Sequence, residues 1–186
     1  MRFRCEWNGA ASACACLLSV IACPAIASPM HPGVFGVSRG MHFQVATANI
    51  YSDTANAKED IRMAILKAAQ EHKRVLLDFG GNWCSDCHLL NLYFHDPGNA
   101  SLLAANYVLV EVNVGEYDRN LDLAHKYGIP LNKGVPALAV LDGTGRVVYA
   151  QRNGEFEAMD KLDSAAVSAF LMKWQPRREP IYHKNR

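Results

Sequence analysis

Residues 75–87 read V-L-L-D-F-G-G-N-W-C-S-D-C and restrict the fold more than any other stretch. Val75 to Phe79 form a short apolar run with one carboxylate in it, the pattern of a strand covered on both faces. Gly80, Gly81 and Asn82 break the run, and C-S-D-C-H-L-L-N-L-Y-F-H then reads as a helix that begins at the cysteines. A buried strand passing straight into a helix calls for a sheet with helices on its faces.

The flanking sequence supplies those helices. A helix is predicted from Asp53 or Thr54, with Ile61, Ala64, Ile65, Ala68 and Ala69 on one apolar stripe. Asp96-Pro97-Gly98 ends or interrupts the cysteine helix, and a short helix over 99–106 leads into the strand Y-V-L-V-E-V-N-V. Residues 117–128 read as a helix with Gly128 as its C-cap. P-A-L-A-V-L is a strand, and Asp142 to Gly145 turn it back into R-V-V-Y-A-Q. A last helix is predicted from Ala158 to Trp174, followed by a polar tail over 176–186. Alternating helices and strands that end in an antiparallel hairpin describe an α/β domain with a mixed sheet.

The N-terminus has a different character. Arg2 and Arg4 precede a small, apolar run that ends in A-I-A, Ala25 to Ala27. That is the layout of a signal peptide, too short for a comfortable membrane span. Cleavage near Ala27 makes 1–27 the signal peptide, 28–50 an irregular Gly- and Pro-rich arm, and 51–175 the folded domain. An alternative is that V-I-A-C is a lipoprotein box, in which Cys23 is lipidated. Both readings take the protein out of the cytoplasm. Without Arg2, Arg4 and Glu6, the 19 basic and 18 acidic side chains become 17 of each. Such neutrality gives nucleic acid or an anionic membrane little to bind.

Of six cysteines, Cys5, Cys14, Cys16 and Cys23 lie in the segment expected to be lost or lipidated, which leaves the mature domain Cys84 and Cys87. A bridge over so short a loop adds little stability, so this pair is chemical rather than structural. C-x-x-C-H has three readings: a redox dithiol, a c-type haem attachment with His88 as axial ligand, or half of a metal site. Haem attachment normally lies in small all-helical domains, whereas a strand leads into this motif. His88, His95 and His125 give no recognisable four-ligand zinc spacing. The expectation is therefore no metal and no cofactor.

At these residues the chain resembles the thioredoxin family. V-L-L-D-F-G-G-N-W-C-S-D-C is similar to its active-site strand and helix start, and K-Y-G-I-P-L-N-K-G-V-P to its later K-Y-G and V-P segment. The likeness runs from about Lys73 to Trp174. The F-H-D-P and V-L-V-E-V-N-V pattern resembles the periplasmic, thioredoxin-like domain of membrane thiol:disulfide interchange reductases. The resemblance implies a thioredoxin fold with an extra N-terminal arm and helix.

It also implies roles. Cys84 is the nucleophile and Cys87 the resolving thiol, the two alternating between dithiol and disulfide. A helix N-terminus independently favours a thiolate at Cys84. Asp78 takes and returns the proton of Cys87, and burial without a cation suits it by raising its pKa. Pro136 is the family's cis-proline, and with Val135 it offers backbone to an extended client segment. Trp83 is an apolar contact beside the pair. The structural alternatives are a strand-edge Asp78 bonded to backbone, an ordinary trans Pro136, and a packed Trp83.

Departures from the family matter as well. Ser85-Asp86 replaces Gly-Pro between the cysteines, and the negative charge of Asp86 opposes thiolate formation, which argues for a less oxidising site. Glu111 falls where thioredoxins have a lysine near the buried acid, which should raise the proton affinity of Asp78 further. The expected partners are client proteins with disulfides or thiols, and a membrane-bound thiol reductase as electron donor. Reduction is the first reading, disulfide isomerisation the second and oxidation the third. Both cysteines, Asp78 and V-P together oppose a binding module without catalysis.

Overall fold

The computed structural model describes residues 49–177. The expected signal peptide of 1–27, its lipidation alternative at Cys23, nearly all of the expected 28–50 arm and residues 178–186 of the tail lie outside the described residues. Helix α1 is Ala57–Glu71, followed by β1, Arg74–Gly80, α2, Ser85–His95, and α3, Pro97–Asn106. Strand β2 is Tyr107–Asn113, and α4 is Leu121–Lys126. Strands β3, Ala137–Leu141, and β4, Val147–Ala150, precede α5, Ser164–Trp174.

The four strands lie in the order β2-β1-β3-β4, with β1–β2 parallel and both other pairings antiparallel. Strand β1 is thus central, and from Val75 to Gly80 every residue is buried. Val75, Leu77 and Phe79 pack with Ile61, Ala64 and Ala68 of α1 and with Leu123 of α4. On the other face Leu76 packs with Leu90 of α2 and with Val167 and Leu171 of α5. Period-two alternation thereby feeds one strand into two apolar layers. Burying each leucine of this kind stabilises the fold by about 1.5–3 kcal/mol.

Boundaries differ from expectation for local reasons. Helix α1 begins later than Asp53 or Thr54 because Asn56 is the cap, its Oδ1 accepting from the Glu59 N–H at 3.3 Å. Helix α4 is shorter than 117–128, since Gly115, Tyr117 and Asn120 adopt left-handed backbone. Asp163 caps α5 by accepting from the Ala166 N–H at 2.8 Å, and Met159–Lys161 form a separate 3-10 turn. Pro97 occupies the first turn of α3, which separates α3 from α2.

Candidate active site

Strand β1 ends at Gly80, and the next turn delivers Cys84 as the N-cap of α2. Cys84 and Cys87 form a disulfide with Cα atoms 5.2 Å apart. Cys84 is 5% exposed and Cys87 fully buried, so the first sulfur is the less enclosed of the two. The Cys87 N–H points at Cys84 Sγ from 3.1 Å. Once the disulfide opens, that donor and the end of α2 favour negative charge on Cys84. Asp86 stands in the same first turn and opposes it.

The Val135–Pro136 bond is cis, and the Val135 carbonyl oxygen lies 3.4 Å from Cys84 Sγ. Two elements distant in sequence therefore meet at the reactive sulfur. Gln151, 1% exposed, holds the loop from behind. Its amide donates to the Pro136 carbonyl and accepts from the Leu138 N–H, each at 3.2 Å. Trp83 is 46% exposed beside the pair, so it is surface rather than core packing. Its indole N–H donates to the Gly115 carbonyl at 2.7 Å, and its ring meets Tyr117 at 5.4 Å. A Cβ at Gly81 would come 2.6 Å from that indole nitrogen, so the bare backbone there makes room for the ring. Tyr117, Leu121, Leu131, Asn132 and Gly134 line an open groove of about 560 Å³ that reaches the Val135 loop.

Asp78 is 1% exposed in the central strand, not at an edge. Its Oδ2 accepts from the Tyr51 hydroxyl at 2.9 Å, while Oδ1 has no hydrogen-bond partner among the described residues. Burial pushes its carboxyl up to about 7, Tyr51 opposes that rise, and the charge of Glu111 adds to it. Glu111 is the register partner of Asp78 on β2, where a lysine would have had the opposite effect.

Four participants escaped the sequence reading: Tyr51, Asn82, Asn113 and Gln151. Tyr51 is fully buried although it precedes every helix and strand described. Asn82 accepts from the Tyr51 N–H at 3.0 Å and donates to its carbonyl at 2.7 Å. Asn113 donates to the same carbonyl at 3.3 Å. His88 donates from Nε2 to the Asn82 carbonyl at 2.8 Å, so its ring braces the turn before Cys84. An aromatic residue just ahead of a helix cap, and an asparagine between Gly-Gly and Trp-Cys, were the available signals.

A family profile described as thioredoxin-like matches residues 56–143. Among solved structures, the chain is similar to a disulphide isomerase from Xylella fastidiosa Temecula1, with 34% identity and a TM-score of 0.64. That match covers 67% of this chain and 95% of the other. A thioredoxin from Thermus thermophilus matches with 22% identity, a TM-score of 0.46, and coverage of 60% and 81%. The C-terminal domain of Neisseria meningitidis DsbD, in its reduced form, gives 18%, 0.46, 64% and 96%. No curated protein sequence matches the chain.

Proposed function

The chain belongs to the thioredoxin-like family of thiol:disulfide oxidoreductases, and from that premise we propose that it is an exported reductase of protein disulfides. The Cys84 thiolate attacks a client disulfide, forms a mixed disulfide and expels one client thiolate. Cys87 then passes its proton to Asp78, and its thiolate attacks Cys84 Sγ. The Cys84–Cys87 bond forms, the mixed disulfide breaks, and the second client sulfur leaves with the electron pair. The client gains two electrons and the pair loses two. A membrane-bound dithiol reductase outside the cytoplasm restores the pair by the reverse exchange. Clients bind along Val135–Pro136 in the manner of an added strand, with Trp83, Tyr117 and Leu121 as apolar contacts. Export rests on Arg2, Arg4, the apolar run and A-I-A in the sequence.

The observation that carries reduction over rearrangement is the buried carboxyl of Asp78 on the Cys87 side of β1, with no cation beside it among the described residues. A base that speeds resolution releases reduced client, whereas an isomerase profits from a mixed disulfide that persists long enough to be shuffled. Isomerisation is the second reading, favoured by the Xylella fastidiosa disulphide isomerase at 34% identity.

The test is a redox titration of the domain in glutathione or dithiothreitol buffers, with thiols trapped by alkylation and counted by mass. Two thiols converting together at about −270 mV or below support the reductase. A midpoint between about −180 and −120 mV assigns the chain to isomerisation or oxidation.

A further inference from the structure

Three polar atoms gather on one face of β1. Asp78 and Gly80 are two residues apart in a strand, so their side-chain positions point the same way. The Tyr51 hydroxyl reaches this face and donates to Asp78 Oδ2 at 2.9 Å. A Cβ on Gly80 would collide with that hydroxyl and lie 2.8 Å from Cys87 Sγ. The bare backbone at 80 thus leaves one shared space to the phenol and the resolving sulfur, beside the carboxyl.

Tyr51 is held there by the active-site turn itself. Asn82 bonds both its N–H and its carbonyl, and Asn113 at the end of β2 adds a third bond. The groups that bear on Asp78 can be named from every side. Tyr51 comes from the segment before α1 and Glu111 from β2, while α2 brings the Cys87 sulfur to the neighbouring Gly80 position on the same face. Strand β3 sets the apolar Leu138 opposite it. Burial and the charges of Asp78 and Glu111 hold the Tyr51 phenol far above its usual range, so it stays an O–H donor. A donor on Oδ2 favours the carboxylate, while burial and Glu111 favour the acid.

We propose that Tyr51 is a positioning residue for the resolving step: its hydroxyl fixes Asp78 through Oδ2, stabilises the carboxylate, and leaves Oδ1 to take the Cys87 proton. This rests on Asp78 being the base for Cys87. The proton moves from Cys87 Sγ to Asp78 Oδ1, the new thiolate attacks Cys84 Sγ, and the client sulfur leaves as thiolate. Tyr51 keeps its own proton throughout.

The experiment mixes reduced protein with an aromatic disulfide whose leaving thiolate is coloured. The first equivalent released reports attack by Cys84, and the second reports resolution by Cys87. Tyr51→Phe should leave the first phase unchanged and move the pH midpoint of the second upward. One unit of movement slows the second phase about fivefold at pH 7. The ¹³C shift of the Asp78 carboxyl, followed against pH in the same variant, should move with it. Asp78→Asn should remove that midpoint altogether. If Tyr51→Phe shifts neither readout while Asp78→Asn removes the midpoint, the role of Tyr51 is wrong and Asp78 remains the base. If Asp78→Asn leaves the midpoint in place, both assignments fall.

Discussion

Asp78 and Glu111 are register partners across the parallel β1–β2 ladder, so the buried carboxyl has a second carboxylate beside it and, among the described residues, no cation. Asp78 is fully enclosed and Glu111 only half-buried, so the burial that raises the pKa falls on Asp78 and the charge of Glu111 adds to it. Replacing Glu111 should therefore tune the Asp78 carboxyl. Glu111→Gln should lower the Asp78 pKa from about 7 by removing a repulsion. Glu111→Lys should lower it further, by about 1–3 units, because an opposite charge then sits nearby. Carboxyl ¹³C titration measures both, and equal values in all three proteins would rule out Glu111 as a cause.

The same shift makes stability depend on pH with a definite sign. The folded carboxyl titrates near 7, against 3.8 for the ordinary group, so the native state binds the extra proton between those values. This contribution is fully present below about pH 4 and is lost as pH rises through 7. The loss amounts to at most roughly 4 kcal/mol, at about 1.4 kcal/mol per unit. Chemical denaturation of the oxidised protein from pH 4 to 8 should show a falling unfolding free energy, and Asp78→Asn should flatten it. An unchanged slope in the variant would assign the dependence to other groups.

Asp78 was legible because a lone carboxylate in V-L-L-D-F has no surface to turn to, and Glu111 because the likeness to thioredoxins set it where they carry a lysine, a place the ladder register matches. The cysteines, the helix they begin and the succession of helices and strands followed from local patterns, while the likeness to thioredoxins supplied the fold. Tyr51 was not legible, since its burial depends on Asn82, 31 residues on, and Asn113, 62 residues on. No periodicity in 49–56 encodes such contacts. Gln151 ends a strand like any polar residue, and only the fold brings its amide to the Pro136 carbonyl. Where a side chain's partner is distant in sequence, local pattern gives the residue type and not its place.

The unequal burial of the two sulfurs predicts unequal failure when either is removed. Cys87→Ser keeps Cys84, the proposed nucleophile and the less enclosed of the two, and loses the proposed resolving thiol, so a client disulfide should be captured as a lasting covalent adduct. Cys84→Ser should capture essentially none, because Cys87 is fully buried. Non-reducing electrophoresis and intact mass of the adducts distinguish them. Comparable trapping by Cys84→Ser would reverse the assigned roles.

Gly80 offers a test of how tightly the buried side of the site is assembled. A methyl group there meets the Tyr51 ring and hydroxyl first and the Cys87 sulfur next. Tyr51 has no surface to retreat to, being fully buried and bonded at its backbone by Asn82 and Asn113. Gly80→Ala should therefore cost about 1–3 kcal/mol, the usual range for overpacking. Were the cost simply that of the strand backbone, it would be the same whatever occupied position 51. Because the collision is with Tyr51, the methyl should be tolerated better once the ring is gone. In a double-mutant cycle with Tyr51→Ala, the two costs should fall short of additivity by on the order of 1 kcal/mol. Additive costs, measured by denaturant unfolding of the oxidised proteins, would mean that Gly80 answers to the strand and not to Tyr51.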